Sequence, residues 1–192
     1  SEVANIIRGK FAHRPRNAPH LYGGEYPFIQ TSDVTNSGKF ITTFNQTLSK
    51  AGFNVSREFP AGTLTMAIAA NIGDVSILTF DACFPDSVIG IEPNDQVSVD
   101  YLYHCLTAMK QQLVEASSGS AQANLNLEKV GNLVIPVPPP EEQARVVAIL
   151  DKFDALVNDL SSGLPAEIKA RRQQYEHYRD KLLSFAKLEA TA

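Results

Sequence analysis

Val134-Ile-Pro-Val-Pro-Pro-Pro-Glu-Glu-Gln-Ala-Arg-Val-Val-Ala-Ile-Leu150 joins a strand-like apolar run, through a cluster of prolines, to the first turns of a long periodic segment. The prolines at 136, 138, 139 and 140 cannot lie inside a helix, because each lacks an N–H and its ring clashes with the preceding turn. Pro140, Glu141 and Glu142 supply what a helix N-terminus favours, a preset φ followed by negative charge beside unpaired N–H groups. The chain therefore reads as a head over residues 1–139 and a helical region over 140–192.

Beyond the junction, apolar residues recur at Val146, Leu150, Phe153, Val157, Leu160, Leu164 and Ile168, then at Tyr175, Tyr178, Leu182 and Phe185. Their spacing alternates between four and three, broken by Arg171 on the seam and by a four-four step at Leu160, Leu164 and Ile168. Such a stutter locally unwinds a supercoil, and it coincides with Ser161-Ser-Gly-Leu-Pro165, a signal for a kink or break. A helix of this extent would be about 65 to 70 Å long at the usual rise per residue, too long for a small head to cover one face. Two arrangements fit: a coiled-coil rod pairing with a partner helix, or a fold-back at Gly163-Leu-Pro165 into a helical hairpin. Both leave apolar area at the outer ends, so self-association or a partner subunit is expected.

At 192 residues the chain suits one globular domain plus an appendage, with enough residues for an ordinary core. Cys83 and Cys105 are the only cysteines and sit in apolar contexts, and the N-terminus does not resemble a signal peptide. A reducing cytoplasm is expected. No apolar run approaches the length of a membrane span. The net charge of -4 is unevenly distributed: +4 over residues 1–57, -7 over 58–140 and -1 over 141–192. Lys10, Arg14, Arg16, Lys39, Lys50 and Arg57 could form a local phosphate-binding face, or simply a solvated basic segment.

Within the head, Ile6 to Arg16 reads as a strand and a basic loop, and Tyr26-Pro-Phe-Ile-Gln-Thr-Ser-Asp-Val34 as a short strand ending in polar side chains. Residues 40–57 read as short irregular structure. Residues 59–70 and 71–80 resemble two buried strands joined at Asn71 to Asp74, and Val88 to Ile91 another. Ser98 caps a helix over Val99–Val114, with Leu102, Leu106, Met109 and Leu113 at core spacing. A polar loop over 117–126, a short helix from Leu127 to Gly131 and a strand from Leu133 to Val137 lead back to the junction.

Catalytic constellations do not emerge from the sequence. It holds no Walker-type phosphate loop, no Gly-x-Gly-x-x-Gly after a strand, and no Asn-Pro-Pro-Tyr or Asp-Pro-Pro-Phe element of the kind amino-methyltransferases use. Its four histidines, 13, 20, 104 and 177, are scattered and lack metal spacing, and Pro85-Asp86 is not followed by the Glu-x-Lys of a nuclease motif. A non-catalytic chain with no metal of its own is expected.

Taken together, these elements resemble the specificity (S) subunits of type I restriction-modification enzymes. The resemblance is carried by Tyr26 to Val34, Gly62-Thr-Leu with Asn71-Ile-Gly73, Gly119-Ser-Ala-Gln122, Ile135 to Gln143, Leu150-Asp-Lys-Phe-Asp-Ala-Leu156, and the tail from Gly163 to Leu183. It implies an α+β fold, in which an irregular β-rich target recognition domain (1–139) is followed by a long helical, coiled-coil conserved region (140–192) for dimerisation, spacing and docking of the methylating subunits. It also implies that the chain recognises part of a bipartite double-stranded DNA site and directs partner modification and restriction subunits. S-adenosylmethionine, ATP and Mg would then be held by those partners and none by this chain. Arg14, Arg16 and Lys39 are the candidates for positioning the head on phosphates, and Gln30, Thr31 and Ser32, with Ser118, Ser120, Gln122 and Asn124, for contacting base edges. A typical S subunit has two recognition domains and two helical regions, whereas one of each is present here, so a half-size subunit or a fragment is implied. Two such copies with antiparallel helices would read a palindromic, interrupted site. The alternative is a protein-interaction adaptor whose coiled-coil rod oligomerises.

Overall fold

The computed structural model describes residues 2–12, 18–117 and 125–183, with side chains in the last helix described up to Ala155 and at 171–174, 176 and 177. The chain divides into two units, Ser1–Val147 and Ala148–Ala192. In chain order the described elements are β1 (Ala4–Arg8), a 3-10 turn (Pro19–Leu21), β2 (Tyr22–Pro27), α1 (Thr31–Asn36), β3 (Phe40–Ile41), β4 (Thr47–Leu48), α2 (Lys50–Asn54), β5 (Glu58–Phe59), β6 (Leu64–Ala67), β7 (Val75–Leu78), β8 (Ala82–Cys83), β9 (Val88–Pro93), α3 (Val99–Ala108), α4 (Lys110–Ser117), α5 (Leu127–Gly131) and α6 (Pro140–Leu183).

Five strands form one sheet in the order β1-β9-β6-β7-β3, antiparallel except where β3 runs parallel to β7. The centre is a buried run, Leu64-Thr-Met-Ala67 against Val75-Ser-Ile-Leu78, covered on both faces. Its buried Thr65 hydroxyl donates to the Ser76 carbonyl at 2.8 Å, so the polar atom keeps a partner away from water. The expected turn at Asn71 to Asp74 closes with Gly73 at φ +83°, a conformation that favours glycine. Arg8 lies opposite Ile89, Ala67 opposite Val88, and Met66 opposite Val75. This register brings the loops after β1 and β6, and those before β7 and β9, to one end of the sheet.

Leu102, Leu106 and Leu113 pack with Leu64, Met66 and Ile77 in the largest core cluster, whereas Met109, expected beside them, is half-buried at the break between α3 and α4 and is not part of that cluster. Each fully buried Leu or Met of this kind contributes about 1.5–3 kcal/mol. A second cluster centres on stacked Phe59 and Phe84, with ring centroids 3.9 Å apart. A third, around Phe11, Leu21, Phe28 and Leu48, sits beneath the β2–β4 ribbon and α2.

Several expectations need correction. The polar end of the 26–34 stretch is helix α1, opened by Gln30, whose N–H donates to Asp33 Oδ2 at 2.8 Å in a capping box that outweighs the apparent continuation of the strand. Residues 40–57 are ordered into β3, β4 and α2, the last capped by Ser49 Oγ, which accepts from Gly52 N at 3.3 Å. The 99–114 helix divides at Met109 (φ -91°, ψ 4°), where a single N–H faces the carbonyls of Cys105 and Leu106 together. Leu133–Val137 forms no strand, because Pro136 removes a ladder donor from its middle. Alternate residues Leu133 and Ile135 still pack on the core, leaving Val134 87% exposed. Helix α6 starts at Pro140, as read from the junction, and runs through Gly163 and Pro165 as one element rather than folding back there.

Candidate nucleic-acid interface

At the sheet end defined by the register, the segment after β1 runs beside residues 55–57. Ala12 N donates to Val55 O at 3.0 Å, Ser56 Oγ to Lys10 O at 2.8 Å, and Arg57 Nη1 to Arg8 O at 3.3 Å. Arg8, Lys10 and Arg57 are all exposed there, at the root of the 13–17 segment that carries Arg14 and Arg16. Arg8 also borders a cleft of about 340 Å³ with Ile68, Ala69, Asp86, Ser87, Leu125 and Asn126. Leu125 N donates to Ile68 O at 3.0 Å and its side chain is fully buried, which places the residue that follows the 118–124 segment at this same end. Ala70, in the adjoining turn, has φ 60°, the one positive value outside glycine among the described residues. Exposed Arg8, Lys10 and Arg57 thus gather at one end of the sheet, an arrangement suited to a phosphate backbone.

The proposed site residues fall into three groups. Gln30, Thr31 and Ser32 open α1: Gln30 and Ser32 are exposed, and the Thr31 carbonyl accepts from Thr35 Oγ1 at 2.9 Å. Thr35 Oγ1 in turn accepts from Asn71 Nδ2 at 2.9 Å, linking α1 to the turn at the sheet end. Lys39 is separate. Its side chain is only 15% exposed, its Nζ lies 2.8 Å from Asp100 Oδ1, and it sits 5.3 and 5.9 Å from the Phe40 and Tyr103 ring centres. Arg14, Arg16, Ser118, Ser120, Gln122 and Asn124 lie outside the described residues.

Two clusters escaped the sequence reading. Tyr26 and Phe53 stack with centroids 4.2 Å apart, and Lys50 Nζ lies 5.2 and 4.8 Å from their centres and 3.2 Å from the Tyr26 hydroxyl. The Lys50-x-x-Phe53 spacing following a Ser49 cap was the available signal, since residues three apart share a helix face. Beside α1, Asp33 anchors the 42–46 loop by accepting from Asn45 Nδ2 at 2.6 Å, and Gln30 Nε2 donates to Gln46 Oε1.

Burial raises the Cys83 and Cys105 thiols above their ordinary range, which keeps both protonated and poorly nucleophilic at neutral pH. On α6, Val146 packs against the core of its own unit, whereas Leu150 and Phe153 are exposed. Val157, Leu160, Leu164, Ile168, Tyr175, Tyr178, Leu182 and Phe185 have side chains outside those described. No helix among the described residues is long and apolar enough to cross a membrane.

Comparison with known proteins gives a consistent picture. The chain is 34% identical over 181 residues to the EcoR124I/EcoR124II specificity subunit of a type I restriction enzyme from Escherichia coli, covering 88% of this chain and 43% of that protein. It is 30% identical over 178 residues to the HindI specificity subunit from Haemophilus influenzae, covering 88% of this chain and 38% of that one. The chain thus spans less than half the length of these relatives. A solved HsdS subunit from Thermoanaerobacter tengcongensis matches its fold with a TM-score of 0.66 at 24% identity, over 83% of this chain and 37% of that one. A chain from a structure of the type I R-M system matches with a TM-score of 0.71 at 23% identity, over 91% of this chain and 42% of that one. At these identities the two structures speak to fold alone. Residues 1–170 match the family described as the type I restriction modification DNA specificity domain, and the chain belongs to that family.

Proposed function

We propose that the chain supplies DNA sequence specificity to a type I restriction-modification system, by reading part of a bipartite double-stranded site and directing partner subunits to it. The observation that carries this reading is the family match over residues 1–170, whose relatives are specificity subunits. The convergence of Arg8, Lys10 and Arg57 at one sheet end supports it physically, because an acidic chain needs local positive charge to hold DNA. These matches favour DNA specificity over a protein-interaction adaptor.

In this reading residues 1–139 form the recognition domain and 140–192 the helical region that dimerises, sets spacing and docks the methylating subunits. Exposed Leu150 and Phe153 support a helical partner, and two copies would supply two reading heads. Methyl transfer from S-adenosylmethionine and ATP- and Mg-dependent restriction belong to the partner modification and restriction subunits. Work on DNA places the assembly in the bacterial or archaeal cytoplasm.

The test is the salt dependence of duplex binding by the chain assembled with modification subunits. Arg8→Ala and Lys10→Ala should weaken binding to every sequence, each reducing the slope of log K against log salt by about 0.9 if it removes one phosphate contact. Salt-independent binding, or slopes equal to the parent's, would contradict the interface.

A further inference from the structure

From Phe40 to Ser49 the chain carries no charged residue, yet four consecutive side chains of this stretch, Thr42 to Asn45, are exposed. Phe44 is 41% exposed, and its neighbour on β3, Phe40, 43%. An exposed loop bearing large aromatics is usually pliable, but this one is held at several points. Thr79 Oγ1 donates to Ile41 O at 2.6 Å, Asn45 Nδ2 to Asp33 Oδ1 at 2.6 Å, and Phe28 N to Gln46 O at 2.9 Å. The Phe44 ring rests edge-on against Phe80 with centroids 5.3 Å apart. Gln46 Oε1 accepts from Gln30 Nε2, whose own backbone N–H is fixed on the other oxygen of Asp33 at 2.8 Å. Asp33 therefore anchors Gln30 directly and, through Asn45, the loop that carries Gln46 beside a supported aromatic.

We propose that this loop reads an A·T base pair, with the Gln46 amide on adenine and Phe44 on the thymine methyl group. The chemistry is specific. A glutamine amide donates to adenine N7 and accepts from adenine N6, a pairing that no other base edge offers in the major groove, and the partner thymine alone presents a methyl to an apolar side chain. The bond from Gln30 occupies one lone pair of Gln46 Oε1 and leaves its second lone pair and its NH₂ group to make that pairing. Alignment by Asp33 lowers the entropy lost on docking, the general benefit of a preorganised site. The assignment rests on the DNA-reading function proposed above and names two specificity-determining residues within it, neither of which carries charge.

The experiment selects binding sites from randomised duplexes, using the full chain assembled with modification subunits, and compares the parent with Phe44→Ala, Gln46→Ala and Gln46→Glu. The parent's consensus should contain an A·T pair at which both alanine variants lose about 5- to 150-fold of discrimination, while binding to non-specific DNA and its salt slope stay unchanged. Gln46→Glu keeps the size of the side chain and should move the preference at that position towards C·G, a change that general destabilisation would not produce. Variants that select the parent's consensus with undiminished discrimination, or that relax only a G·C position, overturn the assignment. A parent assembly that selects no consensus overturns both this assignment and the function beneath it, which separates the two failures.

Discussion

Replacing Gln143 by alanine would strip three backbone groups of their partners at once. Its side chain, 2% exposed, accepts from Ser98 N at 2.9 Å and donates to Gln96 O at 2.7 Å and Pro138 O at 2.9 Å. One amide thus joins the cap of α3, the proline segment and the first turn of α6. Leaving these groups unsatisfied costs about 2–4 kcal/mol, which should appear in urea denaturation as a lower midpoint with an unchanged slope. A midpoint within error of the parent would show that water replaces the amide at no cost. The sequence marked Pro140, Glu141 and Glu142 as a helix start from local rules alone, and the structure agrees. It could not show why a glutamine follows, because the Ser98 N–H it satisfies is 45 residues away. The same limit applies to Lys39, a basic residue in composition whose pairing with Asp100 appears only when the turn before β3 meets α3.

Among the elements, α1 depends most on a single side chain. Asp33 caps the helix through Gln30 N and holds the neighbouring loop through Asn45, so Asp33→Ala should destabilise the head by about 1–3 kcal/mol. Hydrogen exchange should speed up over residues 30–46 before any other described segment. Uniform acceleration across β6 and β7 would instead point to global loosening. This helix was hidden in the sequence because Phe28-Ile29 carries an apolar signal straight into it, while the cap is a Gln rather than the usual Ser, Thr, Asp or Asn. By contrast β6, β7 and β9 were legible as buried apolar runs, and α3 as a capped periodic helix. Leu133–Val137 departs from expectation for the opposite reason. It has strand-like composition and alternating burial, but proline denies it a ladder.

For the molecule as a whole, the sequence spoke most clearly of a mixed α and β fold and of a helix starting at the proline junction, while it left open whether that helix continues through Gly163-Leu-Pro165, and the two units divide at Val147 rather than at the junction. The candidate interface was only partly legible. The basic character of the first 57 residues could be counted directly, but which of those cations share an edge depends on strand register, and register is set by long-range pairing. Arg8 and Arg57 meet because residues 8–12 and 55–57 run side by side, a contact between positions 49 residues apart. The central claim, that this chain tells partner subunits which DNA to modify, is tested most directly by mapping methylated bases in cells that carry modification subunits with and without the chain. The account expects methylation at a single interrupted sequence, palindromic if two copies pair through α6, that disappears when the chain is removed. Methylation unchanged by removing the chain, with modification subunits active, would contradict it.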